Sequence, residues 1–345
     1  MTRVEFPKLE PDRHWLVTGG AGFIGSHLVE HLLLTGQRVR VVDNYATGKK
    51  ANIEAVLALV GKECAGRLEL LEGDIRDKSL CERALLGVDY VLHQAALGSV
   101  PRSFVAPLET HSANVSGFLT LLQSARELSE RVGGERGSTL RSFVYASSSS
   151  VYGDHPELPK SEDNLGNVLS PYAASKRSDE LYASAFQSVV PFPIVGLRYF
   201  NVFGPRQDPE GAYAAVIPRW IETLRKGEEC VVFGDGETSR DFCFVENVVL
   251  ANVLAATKAN KRELAQVVNV AGGEKTSLTE LHRIIVNNFV SLGLSPKEKV
   301  NHEAFREGDV RHSLADIERI QELYGYLPRV DVRDGIARTV RSFLE

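Results

Sequence analysis

Short apolar runs alternate with helical patterns along the first two thirds of the chain. The run "HWLVTG" (14–19) is apolar at most positions and predicts a buried strand, and residues from about 23 to 34 carry apolar side chains at helical spacing. Further runs of strand length, each followed by a helical pattern, lie at 38–43, 67–74, 88–95, 141–148 and 192–200. This succession predicts right-handed crossovers and a parallel sheet that helices cover on both faces.

The regular alternation ends near residue 201, where proline and glycine become frequent and the elements shorten. Two later segments return to it, since 241–257 has the pattern of a strand and a helix, and 266–272 that of a strand. We therefore predict an α/β fold with a Rossmann-type, doubly wound parallel sheet and a smaller, interleaved C-terminal α/β domain. The predicted bounds are 1–200 plus about 241–272 for the sheet domain, and about 201–240 plus 273–345 for the smaller domain.

The composition is that of an ordinary soluble globular protein, with 43% hydrophobic and 25% charged residues in a chain of 345. The formal net charge of −5 shows no basic surplus, so neither a nucleic acid nor an anionic membrane is indicated as a partner. No apolar run approaches the roughly 20 residues that a membrane span needs. A phosphate-bearing ligand would therefore have to be bound by a few placed cations and by backbone amides.

The four cysteines, Cys64, Cys81, Cys230 and Cys243, are far apart along the chain. None belongs to a Cys-x-x-Cys pair or to a cysteine–histidine cluster with zinc-ligand spacing. Buried free thiols in a reducing cytoplasm are the simplest account of them. The sequence predicts no metal site.

A glycine-rich turn, "TGGAGFIG" (18–25), directly follows the first predicted strand and opens the first helix. It fits G-x-G-x-x-G from Gly20 and G-x-x-G-x-x-G from Gly19. Glycine lets the turn close and lets backbone amides approach a pyrophosphate at the helix N-terminus. Asp43 ends the second strand, 18 residues beyond Gly25, close to the position of the carboxylate that binds an adenosine ribose. Because a carboxylate there repels a 2′-phosphate, NAD is favoured over NADP.

The stretch "SPYAASK" (170–176) places Tyr172 and Lys176 on one face of a predicted helix, about one turn apart. Taken alone, such a pair occurs in many ordinary helices. It becomes informative beside a dinucleotide motif, because a phenol next to a cation can serve as a base.

Seven motifs together resemble the extended short-chain dehydrogenase/reductase family, whose members add a C-terminal substrate region to a nicotinamide-binding sheet. They are "TGGAGFIG", "GDIRD" (73–77), "HQAA" (93–96), "SSSSVYG" (147–153), "YAASK" (172–176), "LRYFNVFGP" (197–205) and "GDGETSRDF" (234–242). The resemblance covers nearly the whole chain. It implies that the sheet domain binds NAD and that the smaller domain binds a nucleotide sugar.

The resemblance implies a role for each matching residue. Tyr172 would be the catalytic base, Lys176 would bond the nicotinamide ribose, and Ser148 with Ser149 would bond the substrate hydroxyl. The implied cofactor site consists of Gly19, Gly22, Phe23, Ile24, Gly25, Asp43, Asn44, Thr47, Gly48, Asp74, Ile75, Gln94, Ala95, Ala96, Asn114, Tyr172, Lys176 and Tyr199. A free tyrosine has a pKa near ~10, and a lysine cation with the positive nicotinamide ring would lower it towards ~7, where general-base catalysis works best.

The motifs are most similar to those of nucleotide-sugar 4-epimerases, which oxidise the sugar C4 hydroxyl, rotate the 4-keto sugar and return the hydride to its other face. Related 4,6-dehydratases carry an Asp-Glu pair just after the strand-end serine or threonine, whereas this chain has no carboxylate there until Asp154. A UDP-glucose or UDP-glucuronate 4-epimerase, a dehydratase or decarboxylase on the same scaffold, and a non-catalytic NAD-binding regulator remain alternatives.

The resemblance assigns the nucleotide end of a UDP-sugar to Asn201, Ala215, Val216, Arg240, Arg306 and Asp309. Arg240 and Arg306 would clamp the diphosphate, which suits the bidentate fork of arginine. A surface ion pair between Arg240 and Asp241 is the alternative account of that arginine.

Three small residues bear on the size of the sugar. Related enzymes limited to UDP-glucose and UDP-galactose usually have a tyrosine where this chain has Ser313 and a lysine where it has Gly98. With Ser99, these residues would surround an acetamido group, as in the bacterial UDP-N-acetylglucosamine 4-epimerases that this combination resembles. The implied reaction is the interconversion of UDP-GlcNAc and UDP-GalNAc. Alternatively or in addition, Ser313 caps the following helical pattern.

The resemblance also implies a homodimer, in which two helices of each subunit form a four-helix bundle. The matching helices are predicted at about 107–127 and around Tyr172. The segment "FLTLLQSARELS" (118–129) is more apolar than a solvated helix requires, although core packing alone would also explain this.

Overall fold

Thirteen strands are present in the computed structural model, which describes residues 6–132, 140–210, 214–260, 266–305 and 311–345. In chain order they are β1 (His14–Thr18), β2 (Arg38–Asp43), β3 (Leu68–Glu72), β4 (Tyr90–His93), β5 (Ser142–Ser148), β6 (Ile194–Tyr199), β7 (Val202–Phe203), β8 (Cys230–Phe233), β9 (Ser239–Asp241), β10 (Cys243–Phe244), β11 (Gln266–Val270), β12 (Lys275–Ser277) and β13 (Val300–Glu303). Seven of them form one parallel sheet in the order β11–β6–β5–β4–β1–β2–β3. This sheet confirms the predicted fold class.

The helices between the strands are α1 (Phe23–Leu34), α2 (Lys50–Ala65), α3 (Lys78–Leu85), α4 (Val100–Val105), α5 (Pro107–His111), α6 (Gly117–Val132), α7 (Pro171–Gln187), α8 (Val216–Arg225), α9 (Val245–Lys258), α10 (Leu278–Ser291), α11 (Glu318–Tyr324) and α12 (Val332–Leu344). Apolar side chains of α1 and α9 pack on one face of the sheet, and those of α3, α6 and α7 pack on the other. All five residues of β1 are buried, as expected of a central strand that is covered on both faces.

The strand order reverses between β1 and β4, because the chain winds outward from β1 to β3 and then returns to build the other half of the sheet. Ligands of such sheets bind beyond the carboxyl ends of the strands at this point. β3 and β4 are shorter than the predicted runs 67–74 and 88–95, since the last residues of both runs leave the sheet and line a cavity there.

A separate apolar core lies in the C-terminal part, where α8, α10 and α12 pack around the parallel pair of β8 and β13. The chain passes between the two parts more than once, because α9 and β11 return to the large sheet after β8 to β10. The predicted domain bounds stay a prediction. The predicted helix at about 107–127 is interrupted by a π-helical turn at Ser112–Ser116, which separates α5 from α6.

Within the described ranges, no helix is both long and apolar enough to span a membrane. The same part of the chain contains no group of three or more histidine, cysteine or acidic side chains placed to hold a metal ion.

Candidate active site

The turn between β1 and α1 closes around two glycines. Gly19 has φ +69°, and a Cβ atom there would lie 2.7 Å from the backbone nitrogen of Ala95. A Cβ at Gly25 would lie 2.1 Å from the Gly19 carbonyl oxygen, which accepts a hydrogen bond from the Gly22 N–H at 3.0 Å. α1 then begins at Phe23 without a side-chain cap. The N-terminus of α1 therefore offers backbone N–H groups and the positive end of the helix dipole to an anion in the adjoining cavity.

Asp43 stands at the carboxyl end of β2 and is 8% exposed. Its carboxylate accepts hydrogen bonds from the backbone N–H groups of Ala21 at 2.9 Å and Tyr45 at 2.8 Å. Gly48 lies so close that a Cβ there would approach the carboxylate to 2.8 Å. The carboxylate is thus fixed at the cavity wall, where it can accept hydrogen bonds from ribose hydroxyls.

Asp74 follows β3 and is held by the fork of Arg76, with N–O distances of 2.8 and 2.6 Å. Asn44 donates a further hydrogen bond to Asp74 at 2.8 Å. Hydrogen bonds from Arg76, the largest influence, lower the pKa of Asp74 to about 2. This part of the wall therefore presents an ionised, paired carboxylate.

Ser148, at the end of β5, and Tyr172 and Lys176, on α7, line the same cavity. α7 begins at Pro171, and the side chain of its cap residue Ser170 accepts a hydrogen bond from a first-turn N–H at 3.0 Å. This start signal places Tyr172 in the first turn of α7 and Lys176 about one turn later on the same face.

The Lys176 side chain is only 3% exposed. Its ammonium donates a hydrogen bond to the carbonyl oxygen of Ala146 in β5 at 2.9 Å and contacts the Asp179 carboxylate at 3.4 Å. The cation is therefore held beside the sheet, at the end of the cavity that also contains Tyr172.

These features belong to one cavity of about 430 Å³ beyond the carboxyl ends of the strands. Most of the predicted cofactor residues line it: Gly19, Gly22, Phe23, Ile24, Gly25, Asp43, Asn44, Thr47, Gly48, Asp74, Ile75, Gln94, Ala95, Ala96, Tyr172, Lys176 and Tyr199. Ser148 and Gly98, predicted for the substrate, line it as well.

A second cavity, of about 210 Å³, is lined by the predicted substrate residues Asn201, Ala215, Val216 and Arg240. Val202 lines both cavities. The two cavities therefore adjoin. Residues predicted to bind the cofactor line the first, and residues predicted to bind the nucleotide of the substrate line the second.

Arg240 donates hydrogen bonds to the carbonyl oxygens of Ser239 at 3.0 Å and Arg311 at 3.2 Å. Asp241 is fully buried, and its carboxylate accepts three backbone N–H bonds. A surface ion pair between Arg240 and Asp241 is thus excluded, because Asp241 does not reach the surface.

Comparisons with known proteins agree with this arrangement. Residues 15–271 match the model of the NAD dependent epimerase/dehydratase family. The chain belongs to this family.

Among its relatives, UDP-glucose 4-epimerase of Mycolicibacterium smegmatis is 37% identical over 95% of this chain and 97% of its own length. The structure of UDP-N-acetylglucosamine 4-epimerase from Methanobrevibacter ruminantium, in complex with UDP-N-acetylmuramic acid, has a TM-score of 0.85 and 36% identity, covering 97% of this chain and 99% of that one. The structure of UDP-glucose 4-epimerase from Thermus thermophilus in complex with NAD has a TM-score of 0.79 and 34% identity, covering 96% and 99%.

The first cavity fits NAD, the cofactor of this family. Any larger side chain at Gly19 or Gly25 would fill the space around this turn. Because both residues are glycine, the backbone there stays accessible to a pyrophosphate. Asp43, the residue predicted to bind a ribose, and Lys176 both line the cavity.

Tertiary structure brings to the first cavity residues that sequence reasoning missed. Arg76 and Gln207 line the first cavity. Asn252 lies behind it and donates a hydrogen bond to the Tyr199 hydroxyl at 2.8 Å, while that hydroxyl donates to Gln94 at 3.0 Å. Of these residues, Arg76 could have been found from the sequence, because it pairs with Asp74 two positions earlier. Gln207 and Asn252 could not, because they come from segments far along the chain.

Three predicted residues lie beside the first cavity and do not line it. Asn114 is buried, and its side chain bonds the backbone N–H of Leu97 at 2.7 Å and the Ser175 hydroxyl at 3.0 Å. Ser99 caps α4 through a hydrogen bond from a backbone N–H at 3.2 Å. Ser149 begins the 3₁₀ turn that follows β5. All three residues are therefore part of the structure around the cavity rather than of its lining.

Ser313 lies alongside β9, where its backbone N–H donates to the carbonyl oxygen of Ser239 at 3.0 Å. It lines neither of the two cavities. The remaining two predicted residues, Arg306 and Asp309, lie outside the described residues.

Proposed function

We propose that this protein is a UDP-sugar 4-epimerase that uses NAD and prefers UDP-GlcNAc and UDP-GalNAc. The observation that carries the proposal is that Ser148, Tyr172 and Lys176 line one cavity, and that this cavity adjoins a second one at Val202. A sugar at the junction would reach Tyr172 while its nucleotide occupies the second cavity. The epimerase names of the similar proteins described above support the same reaction.

The second cavity supplies groups suited to a uridine diphosphate. Arg240 offers a fixed guanidinium for the diphosphate, and α8 begins there at Val216, so its N-terminal N–H groups can also receive an anion. The Asn201 amide also lines this cavity and donates a hydrogen bond to the Asp241 carbonyl oxygen at 2.9 Å. Arg306 and Asp309 stay predicted contacts of the diphosphate and the ribose.

In the proposed reaction, Tyr172 removes the proton of the sugar C4 hydroxyl while Ser148 bonds the same oxygen. NAD, when bound, would accept the hydride that leaves C4 and return it to the opposite face of the sugar once the 4-keto intermediate has turned. Lys176 places its side-chain amine in the same cavity as Tyr172. After the 4-keto sugar has turned, Tyr172 returns the proton to the C4 oxygen, so the product differs from the substrate only in the configuration at C4.

The carboxylates of the first cavity argue against an elimination reaction. Among the described lining residues they are Asp43, Asp74 and Glu109, and none follows the serine at the end of β5. Asp74 is paired with Arg76, whose charge also acts on Glu109, so these two carboxylates belong to the β3 end of the cavity. No second acid or base is thus supplied beside Tyr172 by this part of the chain.

The preference for N-acetylated sugars is supported by Gly98. It lines the first cavity, and a Cβ atom built there would meet no other atom within 4 Å. The space beside Gly98 is therefore open, and a longer side chain would extend into it. Ser99 and Ser313 stay predicted contacts of the acetamido group, with the structure giving them other bonds.

Incubating the purified protein with UDP-GlcNAc and UDP-glucose separately, without added NAD, and following the C4 epimer by NMR tests the proposal. We expect both substrates to be converted to their 4-epimers, UDP-GlcNAc with the higher kcat/KM. Faster turnover of UDP-glucose would contradict the sugar preference, and release of water or carbon dioxide would contradict the epimerase reaction itself.

A further inference from the structure

Asp179 is a buried acid directly beside the proposed catalytic lysine. It lies on α7 three residues after Lys176, and the two side chains are 1% and 3% exposed. The nearer carboxylate oxygen lies 3.4 Å from the Lys176 ammonium nitrogen. A carboxylate in such a place costs folding free energy unless it is well paired and hydrogen-bonded.

Other buried acids of the protein are satisfied by structural partners. The Asp241 carboxylate accepts three backbone N–H bonds, and Glu180 is held by the fork of Arg198 at 2.8 and 2.9 Å. Asp179 differs from both. Within the described part of the chain its second oxygen has no hydrogen-bond partner, and its hydrogen bond is to Lys176. The hydrogen bond of Asp179 therefore serves Lys176 rather than the backbone of a neighbouring element.

An ammonium group has three N–H donors. In Lys176 one donor is used by the Ala146 carbonyl at 2.9 Å and a second is directed at Asp179. The third remains for the cavity that Lys176 lines. We propose that Asp179 is a positioning residue for the epimerase reaction, which holds the Lys176 ammonium charged and directed at the bound cofactor. The proposal rests on the proposed function, in which Lys176 serves NAD and Tyr172.

The groups around Asp179 indicate that its carboxylate would act on Lys176 at alkaline pH. Lys176 and Glu180, on its own helix, act on Asp179 through their charges, and the Asp179 charge in turn acts on Tyr145 of β5. Arg198 of β6 is paired with Glu180. Burial, the largest influence, raises the pKa of Asp179 above its ordinary value, and the Lys176 ammonium opposes this rise. The carboxylate is therefore charged at alkaline pH, where it lies 3.4 Å from the Lys176 nitrogen.

His93 of β4 is a further titratable group on which the Lys176 charge acts. Burial, together with the Lys176 charge, lowers the pKa of His93 to about 3, so the ring is neutral at the pH values of the test. It therefore cannot replace Asp179 as a counterion.

The test is Asp179→Asn in the full-length protein with NAD bound. We expect bound NAD to exchange with isotopically labelled NAD about tenfold faster than in the wild type, as the loss of one charge-assisted hydrogen bond would produce. The alkaline limb of the kcat profile should move to lower pH by about one unit or more, because an opposite charge at this distance has been removed. KM for the UDP-sugar should change little, since Asp179 does not line the second cavity.

Two further variants separate positioning from simple loss of structure. Glu162→Gln removes another buried acid that bonds a backbone N–H away from Lys176, and it should leave NAD exchange and the pH profile unchanged. In Lys176→Met, adding Asp179→Asn should leave the NAD exchange rate unaltered and should raise the thermal unfolding temperature, because a lone buried carboxylate is removed. Comparing Lys176→Met with the double variant also tests the proposal if Asp179→Asn alone folds poorly.

Equal effects of Asp179→Asn with and without Lys176 would overturn the proposal, as would wild-type NAD exchange and pH dependence in Asp179→Asn. NAD exchange is measured without any sugar nucleotide. A protein that lacked epimerase activity but showed the expected exchange rates would contradict the proposed function and leave the contact between Asp179 and Lys176 established.

Discussion

Tyr172 and Lys176 share one face of α7 but differ in exposure. Tyr172 is partly exposed to the cavity, whereas the Lys176 side chain is buried against β5. This difference suits a residue that exchanges a proton with a substrate and a neighbour that keeps a fixed charge.

Tyr172→Phe removes only the hydroxyl that we propose as acid and base. Turnover should fall by ~100- to 10,000-fold, the usual cost of losing such a group, while bound NAD and the fold are retained. Epimerisation measured by NMR and NAD released on denaturation are the readouts. Tyr182→Phe, at an exposed tyrosine of the same helix, is the matched control. Wild-type turnover in Tyr172→Phe would end the assignment of Tyr172 as the base.

Gly98 and Ser313 provide a second prediction at this scale. Gly98→Lys should lower kcat/KM for UDP-GlcNAc by about tenfold or more relative to UDP-glucose, because the added side chain fills the open space beside the sugar. Gly98→Ala, which adds a single methyl group, is the control. Ser313→Tyr should exclude the N-acetylated pair in the same way. If only Gly98→Lys alters the preference, Ser313 does not contact the sugar.

α1 shows how one helix combines a ligand-facing end with a structural end. Its N-terminus faces the first cavity, while His31, near the other end, packs against Phe6 with ring centroids 3.8 Å apart. Burial lowers the pKa of His31 from 6.5 to about 4. Between these two pH values the unfolded chain binds a proton that the folded protein does not, so the His31 contribution to stability is complete above pH 6.5 and is lost as the pH falls towards 4.

His31→Phe should therefore gain stability relative to the wild type as the pH falls. The difference in unfolding free energy should grow by up to about 2 kcal/mol between pH 6.5 and pH 5, from about 1.4 kcal/mol per pH unit. Urea unfolding of both proteins at the two pH values measures it. His111→Phe, at an exposed histidine of α5, is the control. A difference that does not change with pH would show that His31 binds its proton equally well in the folded and the unfolded protein.

At the scale of the whole molecule, large apolar side chains are exposed on α4, α5 and α7. Phe104, Val105, Leu108 and Leu181 are 61%, 77%, 84% and 58% exposed. A cluster of this kind on neighbouring helices is typical of an association surface. It supports the proposal of a homodimer through the helix that carries Tyr172.

Light scattering at micromolar concentration should accordingly give about twice the chain mass of 37.9 kDa. Leu108→Asp should produce monomers, because a charge would be buried in the interface. Leu59→Asp, at an equally apolar and 65% exposed position on α2, should leave the dimer intact. A wild-type particle of the single-chain mass would refute the dimer.

Much of the first cavity could be predicted because its signals are local. The motif of Gly19, Gly22 and Gly25 spans eight residues and directly follows β1, and α1 begins at Phe23, the predicted residue. Tyr172 and Lys176 share a face because helical spacing alone puts them there. The parallel sheet followed from the alternation of apolar runs and helical patterns, since only a sheet covered on both faces buries such runs.

Other features were decided only by tertiary structure, because they join residues that are far apart in the chain. Three such features depend on how separate elements pack. They are the hydrogen bond between Asn252 and Tyr199, the hydrogen bond from Lys176 to the Ala146 carbonyl, and the contact of the two cavities at Val202. The sequence by itself thus determined which local segments can bind a dinucleotide and carry a base. Packing decided that Asn114 bonds Leu97 and that Asp179 is buried beside Lys176.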